Sequence, residues 1–172
     1  MNVSKVMISK EEIELKVKEI ASKIGKDYEG QELFVIGVLK GACVFVSDLI
    51  REINLPVTLD FMAVSSYGMS TESSGIVRII KDLDMDITGM NVLIVEDIID
   101  TGLTLNYLRE YLAARHVKSL KICTLLDKPQ RRKCDVLADY VGFSIEDKFI
   151  VGYGIDCKEQ YRNLPYIAAV ED

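Results

Sequence analysis

At 172 residues, 49% of them hydrophobic, the chain is long enough for one sizeable core. No Pro/Gly/Ser-rich linker divides it, so a single domain over residues 1–172 is expected. The formal charge of −6 at pH 7 argues against a broad nucleic-acid or anionic-membrane surface, because neutralising phosphates needs a basic face.

The first element is announced by Ser9 and Glu12, a capping-box pair, after which Ile13, Val17, Ile20, Ala21 and Ile24 recur on one helical face up to Gly25. Leu33 to Leu39 is a continuous apolar run, as expected of a strand buried on both faces, and Lys40-Gly41 follows at its carboxyl end. Open α/β sheets place ligands at such strand ends. Ala42 to Ile53 carries a helical pattern, and Val57 to Ser65 a strand pattern. The segment from Ser66-Tyr67 to Gly75 is small, polar and flanked by glycines, so it reads as a surface loop or a flexible lid over about 66–76.

Ile76 to Leu83 has strand character. After the turn Asp86-Ile87-Thr88-Gly89, the residues Val92-Leu93-Ile94-Val95 run into Glu96-Asp97 and then Asp100-Thr101-Gly102-Leu103-Thr104. A helix follows, with Leu105, Leu108, Tyr111 and Leu112 inward. His116, the only histidine, lies at the end of that helix and reads as non-catalytic, and a zinc site built on several imidazoles is excluded. Leu120 to Leu126 is a further buried strand ending in Asp127-Lys128-Pro129. The basic run Lys128 to Lys133 reads as a solvated loop, Lys128 excepted. Asp139 to Ser144 and Phe149 to Gly154 are strand candidates, the latter leading to Asp156 and Tyr161-Arg162. Strands alternating with helices, then strands without helices, predict a mostly parallel sheet with an antiparallel addition.

No apolar run is long enough to cross a bilayer, and Met1 to Lys5 lacks the apolar core of a signal peptide. A cytoplasmic protein is expected. Cys43, Cys123, Cys134 and Cys157 form no C-x-x-C pair and read as reduced structural thiols.

The turn Asp100 to Thr104 offers successive backbone N–H groups, two hydroxyls and a helix N-terminus, all suited to a phosphate. The lysine of a P-loop is missing, and no G-x-G-x-x-G opens a helix, which disfavours nucleoside triphosphate hydrolysis and dinucleotide redox chemistry. Glu96 and Asp97 need a compensating partner: vicinal sugar hydroxyls, a divalent ion, or both. Hydroxyls plus phosphate describe a ribose phosphate.

On these residues the chain resembles the type I phosphoribosyltransferases, whose signature is an apolar strand, two acids and a D-[ST]-G-x-T loop. Leu39-Lys40-Gly41 matches the family's pyrophosphate loop and Ser66-Tyr67 its lid. Lys128, Phe149-Ile150-Val151-Gly152-Tyr153 and Asp156 match the purine-recognition elements of the hypoxanthine-guanine branch. Many members carry Lys or Arg where this chain has Leu103, a change that leaves the loop's backbone donors intact.

The resemblance implies an α/β fold, a mostly parallel central sheet flanked by helices, with a small hood formed by terminal segments. It implies transfer of the 5-phosphoribosyl group from 5-phosphoribosyl-1-pyrophosphate to hypoxanthine and guanine, with Mg2+ as cofactor and a homodimer or homotetramer as the assembly. Asp100 is then the proton acceptor at purine N7, Asp100 to Thr104 bind the 5′-phosphate, and Glu96 and Asp97 bind the ribose near the first metal. Lys40, Gly41 and Arg162 take the pyrophosphate, and Asp156 a second metal. Lys128 donates to the 6-oxo group, Phe149 stacks on the ring, and Ile150 and Asp156 meet the base edge. Two alternatives share many of these residues: a transferase preferring xanthine, and a non-catalytic regulator that senses the sugar pyrophosphate and binds nucleic acid. The acidic balance and the presence of Asp100, Lys128 and Asp156 together disfavour the regulator.

Overall fold

The computed structural model describes residues 2–66 and 77–171. Strand β1 (Asn2–Ile8) leads to helix α1 (Lys10–Asp27), strand β2 (Leu33–Leu39), helix α2 (Cys43–Glu52), and strands β3 (Val57–Ser66) and β4 (Val77–Lys81). Strand β5 (Asn91–Ile99), helix α3 (Leu103–Ala113), and strands β6 (Ser119–Asp127), β7 (Tyr140–Ser144), β8 (Ile150–Val151) and β9 (Ile167–Glu171) complete the order. Apart from Ser66 at the end of β3, the expected lid, Tyr67 included, lies outside the described residues.

Six strands form one sheet in the order β4-β3-β2-β5-β6-β7. All neighbours are parallel except the β3–β4 pair. The continuous apolar runs follow from burial of both faces. Leu33 and Val35 of β2, with Leu93 and Val95 of β5, face a core closed by α1 and α2; Phe34, Ile36, Val92 and Ile94 face a second core closed by α3 through Leu105, Leu108 and Leu112. Alternation along each strand delivers apolar side chains to both layers, so the pattern shows no polar beat.

The terminal segments form the hood, a small antiparallel sheet of order β1-β9-β8. The antiparallel addition to the main sheet is β4, whereas β7 extends it in parallel, and only Ile150 and Val151 of the expected strand at 149–154 are extended. Gly152 and Gly154, at φ +109° and +98°, turn the backbone out of strand geometry.

Helix α1 begins as predicted. The Ser9 hydroxyl accepts from the Glu12 amide at 3.1 Å, and the Ser9 amide donates to Glu12 Oε2 at 2.7 Å. It does not stop at Gly25 but continues to Asp27, because Ile24 and Tyr28 extend the buried face by one more turn. Among the described residues no helix is long and apolar enough to cross a membrane.

Hood and sheet meet where the site lies. A Cβ on Gly154 would stand 2.3 Å from the carbonyl oxygen of Gly41, and its positive φ is a second reason for glycine. Gly154→Ala is therefore expected to lower unfolding stability in urea by about 1–3 kcal/mol; an unchanged midpoint would mean that this approach is not fixed in solution.

Candidate active site

The β2–β3 connection and the β5–β6 connection run to opposite sides of the sheet, so β2 and β5 flank its topological switch point. The crevice outside their carboxyl ends is where such sheets bind ligands. Lys40-Gly41 leaves β2 there, beyond a cis Leu39–Lys40 peptide. Glu96 and Asp97 sit near the end of β5, and Asp127-Lys128 at the end of β6. The parallel order thus gathers three stretches that are far apart in sequence.

The acidic pair is packed rather than solvated. Glu96 is buried, and a Cβ on Gly41 would lie 1.8 Å from Asp97 Oδ2, so only a glycine lets the loop after β2 approach this carboxylate. Burial pushes the pKa of Glu96 well up, and the neighbouring Asp97 charge adds to the rise. Burial also raises Asp97, offset in part by hydrogen bonding and by the positive charge of Arg162. Their available donors are local: the Asp97 amide reaches Glu96 Oε1 at 3.2 Å, and the Ile98 amide reaches Asp97 Oδ1 at 2.7 Å. Oxygen donors with this uncompensated negative character fit ribose hydroxyls or a hard cation such as Mg2+. No group of three or more His, Cys, Asp or Glu poised to hold a metal exists among the described residues. Asp156 therefore does not join Glu96 and Asp97 in one protein-built metal cluster, and a bound ion would need ligand oxygens from a substrate.

Beyond the acids, the turn curls into α3. Gly102, at φ +83°, takes the N-cap place with no side-chain cap; the Leu103 amide makes a long contact of 3.4 Å to Thr101 Oγ1, and a helix start of this kind can present its amides to an anion. Asp100 does not cap the helix. Residues 96–102, with Thr104 and Leu105, line a depression of about 180 Å³. Leu103, in the position of the departure from the family pattern, opens the helix and is half-buried.

What holds this turn was not anticipated. The basic run treated as solvated, apart from Lys128, is a strap across it. The Lys128 amide donates to Ile99 O at 2.9 Å, Arg132 Nη1 to Asp100 O at 3.0 Å, and the Lys133 amide to Thr101 O at 2.8 Å. Arg132 also pairs with Asp127 at 2.5 Å. Arg131 Nε lies 2.5 Å from Asp100 Oδ1 and its guanidinium reaches Asp147 at 3.4 Å. The Asp100 contact is an ion pair without hydrogen-bond alignment, so Oδ1 keeps an open acceptor position. The sequence does hold one signal for these roles: Arg131 and Arg132 come within five residues of a buried strand's carboxyl end at Asp127.

Lys128 is only 7% exposed, and its ammonium donates to Lys148 O at 2.7 Å. Phe149, next in the chain after Lys148, is 55% exposed, while Ile150 is buried in β8. An open aromatic face beside a buried ammonium suits a flat, polar-edged ring. On the hood side, residues 152–164 form an excursion closed by backbone bonds from Tyr153 N to Leu164 O and Gly154 N to Arg162 O. Arg162 donates to Gly154 O at 2.8 Å and pairs with Asp156 at 3.4 Å and Glu159 at 3.1 Å. Its buried Nε has no hydrogen-bond partner among the described residues. Lys40 is paired with Glu159, a residue the sequence reading passed over. His116 lies at the opposite end of the sheet, where its carbonyl accepts from Gly89.

Larger hollows exist away from the acidic pair, among them one of about 490 Å³ on the hood, lined by Lys5, Met7, Lys148 and Phe149. One of about 330 Å³, lined by Gln31, Phe34, Thr58 and Asn91, is at the amino ends of the strands, the wrong end for an α/β ligand site. Another, of about 310 Å³, lies beside α1 and α2 and includes Tyr153.

Comparison with known proteins gives a family-model match to the phosphoribosyl transferase domain over residues 7–158. The hypoxanthine-guanine phosphoribosyltransferase of Bacillus subtilis is 55% identical over 170 residues, covering 99% of this chain and 94% of that protein. A Bacillus anthracis crystal structure of a protein with the same name superposes with a TM-score of 0.96 at 56% identity, over 99% of this chain and 100% of that one. A Staphylococcus aureus hypoxanthine phosphoribosyltransferase gives 0.95 at 50% identity, over 98% and 92%.

The acidic pair yields a test of its own. Below about pH 4, the ordinary glutamate range, Glu96 is protonated in both folded and unfolded chains. As pH rises the unfolded chain ionises first, so the folded state loses stability until the raised folded pKa is passed. Glu96→Gln is expected to show a higher urea midpoint than the unmodified protein at pH 8 in chelator, with the gap closing toward pH 4. An equal or lower midpoint at pH 8 would mean the carboxylates are compensated in the free protein.

Proposed function

The chain belongs to the phosphoribosyltransferase family, and from its site we propose that it moves the 5-phosphoribosyl group of 5-phosphoribosyl-1-pyrophosphate onto hypoxanthine and guanine. The products are IMP or GMP and pyrophosphate, the chemistry of purine salvage. The observation that carries this reading is the acidic pair, Glu96 buried and Asp97 half-buried, placed between an uncapped helix start and the glycine loop after β2, with a buried lysine at the next strand end.

In this reading the 5′-phosphate rests on the amides and hydroxyls of Asp100 to Thr104, and the ribose hydroxyls donate to Glu96 and Asp97. Lys40, the Gly41 amide and Arg162 hold the pyrophosphate. The Lys128 ammonium donates to the 6-oxo group, which selects against adenine, whose amino group cannot accept. Phe149 stacks on the ring, and Ile150 and Asp156 border its edge. Purine N9 bonds to ribose C1′ as the bond from C1′ to the pyrophosphate oxygen breaks. The transition state carries positive charge on the sugar and added negative charge on the leaving group. Asp100 accepts the N7 proton as N9 attacks; its link to Arg131 keeps the carboxylate at the junction of phosphate turn and base pocket. One magnesium ion held by substrate oxygens near Glu96 and Asp97, and a second near Asp156, would neutralise charge on the leaving group. Ser66 and Tyr67 would close over the site and exclude water.

A cytoplasmic, single-domain enzyme assembling as a homodimer or homotetramer completes the reading. It is supported by the absence of disulfides and of a membrane-length apolar helix among the described residues, and by the near full-length match to relatives.

Pyrophosphate release measured with magnesium, the sugar pyrophosphate and each of four purines tests the assignment. Hypoxanthine and guanine are expected to support turnover, adenine not, and Asp100→Asn to lower kcat by about 10²-fold or more. No turnover with any purine would remove the enzyme reading, full activity of the variant would remove the role of Asp100, and preferred use of xanthine would correct the substrate.

A further inference from the structure

Both cations assigned to the leaving group are already held by one carboxylate. Glu159 Oε2 lies 2.8 Å from Lys40 Nζ, and Oε1 lies 3.1 Å from Arg162 Nη2. Each oxygen engages a cation from a different element, one after β2 and one on the 152–164 excursion.

The backbone delivers Glu159 there at some cost. Cys157 and Gln160 exchange two backbone bonds of 3.0 Å around Lys158 and Glu159, whose φ values of 51° and 64° are both left-handed. That two-residue geometry ordinarily selects Asn-Gly. Its position is secured by the Glu159 amide, which donates to Asp156 Oδ2 at 2.8 Å. The ion pair itself is open: the side chains of Lys40 and Glu159 are 67% and 65% exposed. Contacts this exposed contribute little to stability and are readily exchanged. A diphosphate carries more negative charge than a carboxylate and can also reach the buried Arg162 Nε, which Glu159 leaves unused.

We propose that Glu159 is an internal counter-anion of the pyrophosphate subsite: it pairs Lys40 and Arg162 when that subsite is empty, is displaced by pyrophosphate, and returns to promote its departure. The inference rests on the assignment of Lys40 and Arg162 to pyrophosphate. Glu159 is thus a positioning residue that sets leaving-group affinity without touching the reacting carbon.

Calorimetric titration of inorganic pyrophosphate into the substrate-free protein at low ionic strength tests it. Glu159→Gln is expected to bind about fivefold more tightly than the unmodified protein, given the modest strength of exposed pairs, and Lys40→Met about fivefold more weakly. In the double variant the gain from Glu159→Gln is expected to shrink, since one of its two partners is gone. It should also shrink at about 0.5 M KCl, where such charges are screened. Glu159→Asn, suited to a left-handed φ, serves as a second variant should the glutamine perturb the turn. Unchanged or weaker binding by both Glu159 variants, with Lys40→Met still weakened, would overturn the proposal and leave the pyrophosphate assignment standing. Unchanged binding by Lys40→Met and by Arg162→Met would overturn both.

Discussion

Two carboxylates confined at the carboxyl end of the central strand are the constraint from which the rest of the site follows. Asp97 lies so close to the loop after β2 that Gly41 can carry no side chain, and the Gly41 carbonyl is in turn so close to the hood that Gly154 can carry none either. Sheet, glycine loop and hood are therefore stacked without clearance. Burial raises the pKa of both acids, and Arg162 is the cation that moderates Asp97. A protein keeps such a pair when a ligand supplies what the chain does not.

The second constraint is mechanical. The carbonyls of Ile99, Asp100 and Thr101 are each bound by the segment from Lys128 to Lys133, so the turn after β5 and Lys128 form one hydrogen-bonded unit. Asp100, between them, has its carboxylate set by Arg131 and its carbonyl by Arg132. The turn, Asp100 and Lys128 thereby keep fixed spacing, the form of preorganisation that the proposed displacement at a sugar carbon would use.

Much of this was legible in the chain itself. The apolar runs of β2, β5 and β6 declared parallel strands buried on both faces, and Glu96-Asp97 with Asp100 to Thr104 declared a strand end that turns into a helix start. Local patterns sufficed because strand, turn and helix start are contiguous there. What escaped was whatever depends on contacts between distant segments. Residues 129–133 look like any basic surface loop until the strands are ordered, since hydrogen bonds to the carbonyls of 99–101 have no sequence signature. Gly25 looked like a stop because glycine's helix penalty is local, whereas the burial of Tyr28 that outweighs it is not. Glu159 was invisible for the same reason: its partners are 119 positions upstream and three downstream, and only the fold makes them neighbours.

The proposed reaction depends first on a phosphate site at the uncapped start of α3, built into the end of β5. Amide hydrogen exchange across the chain, with and without saturating IMP, addresses it most directly. The account predicts the largest new protection at the amides from Thr101 to Leu105, with a second zone around Lys128 and Phe149. Unchanged exchange at 101–105, or protection centred instead on the hollow at Gln31 to Phe34, would contradict it.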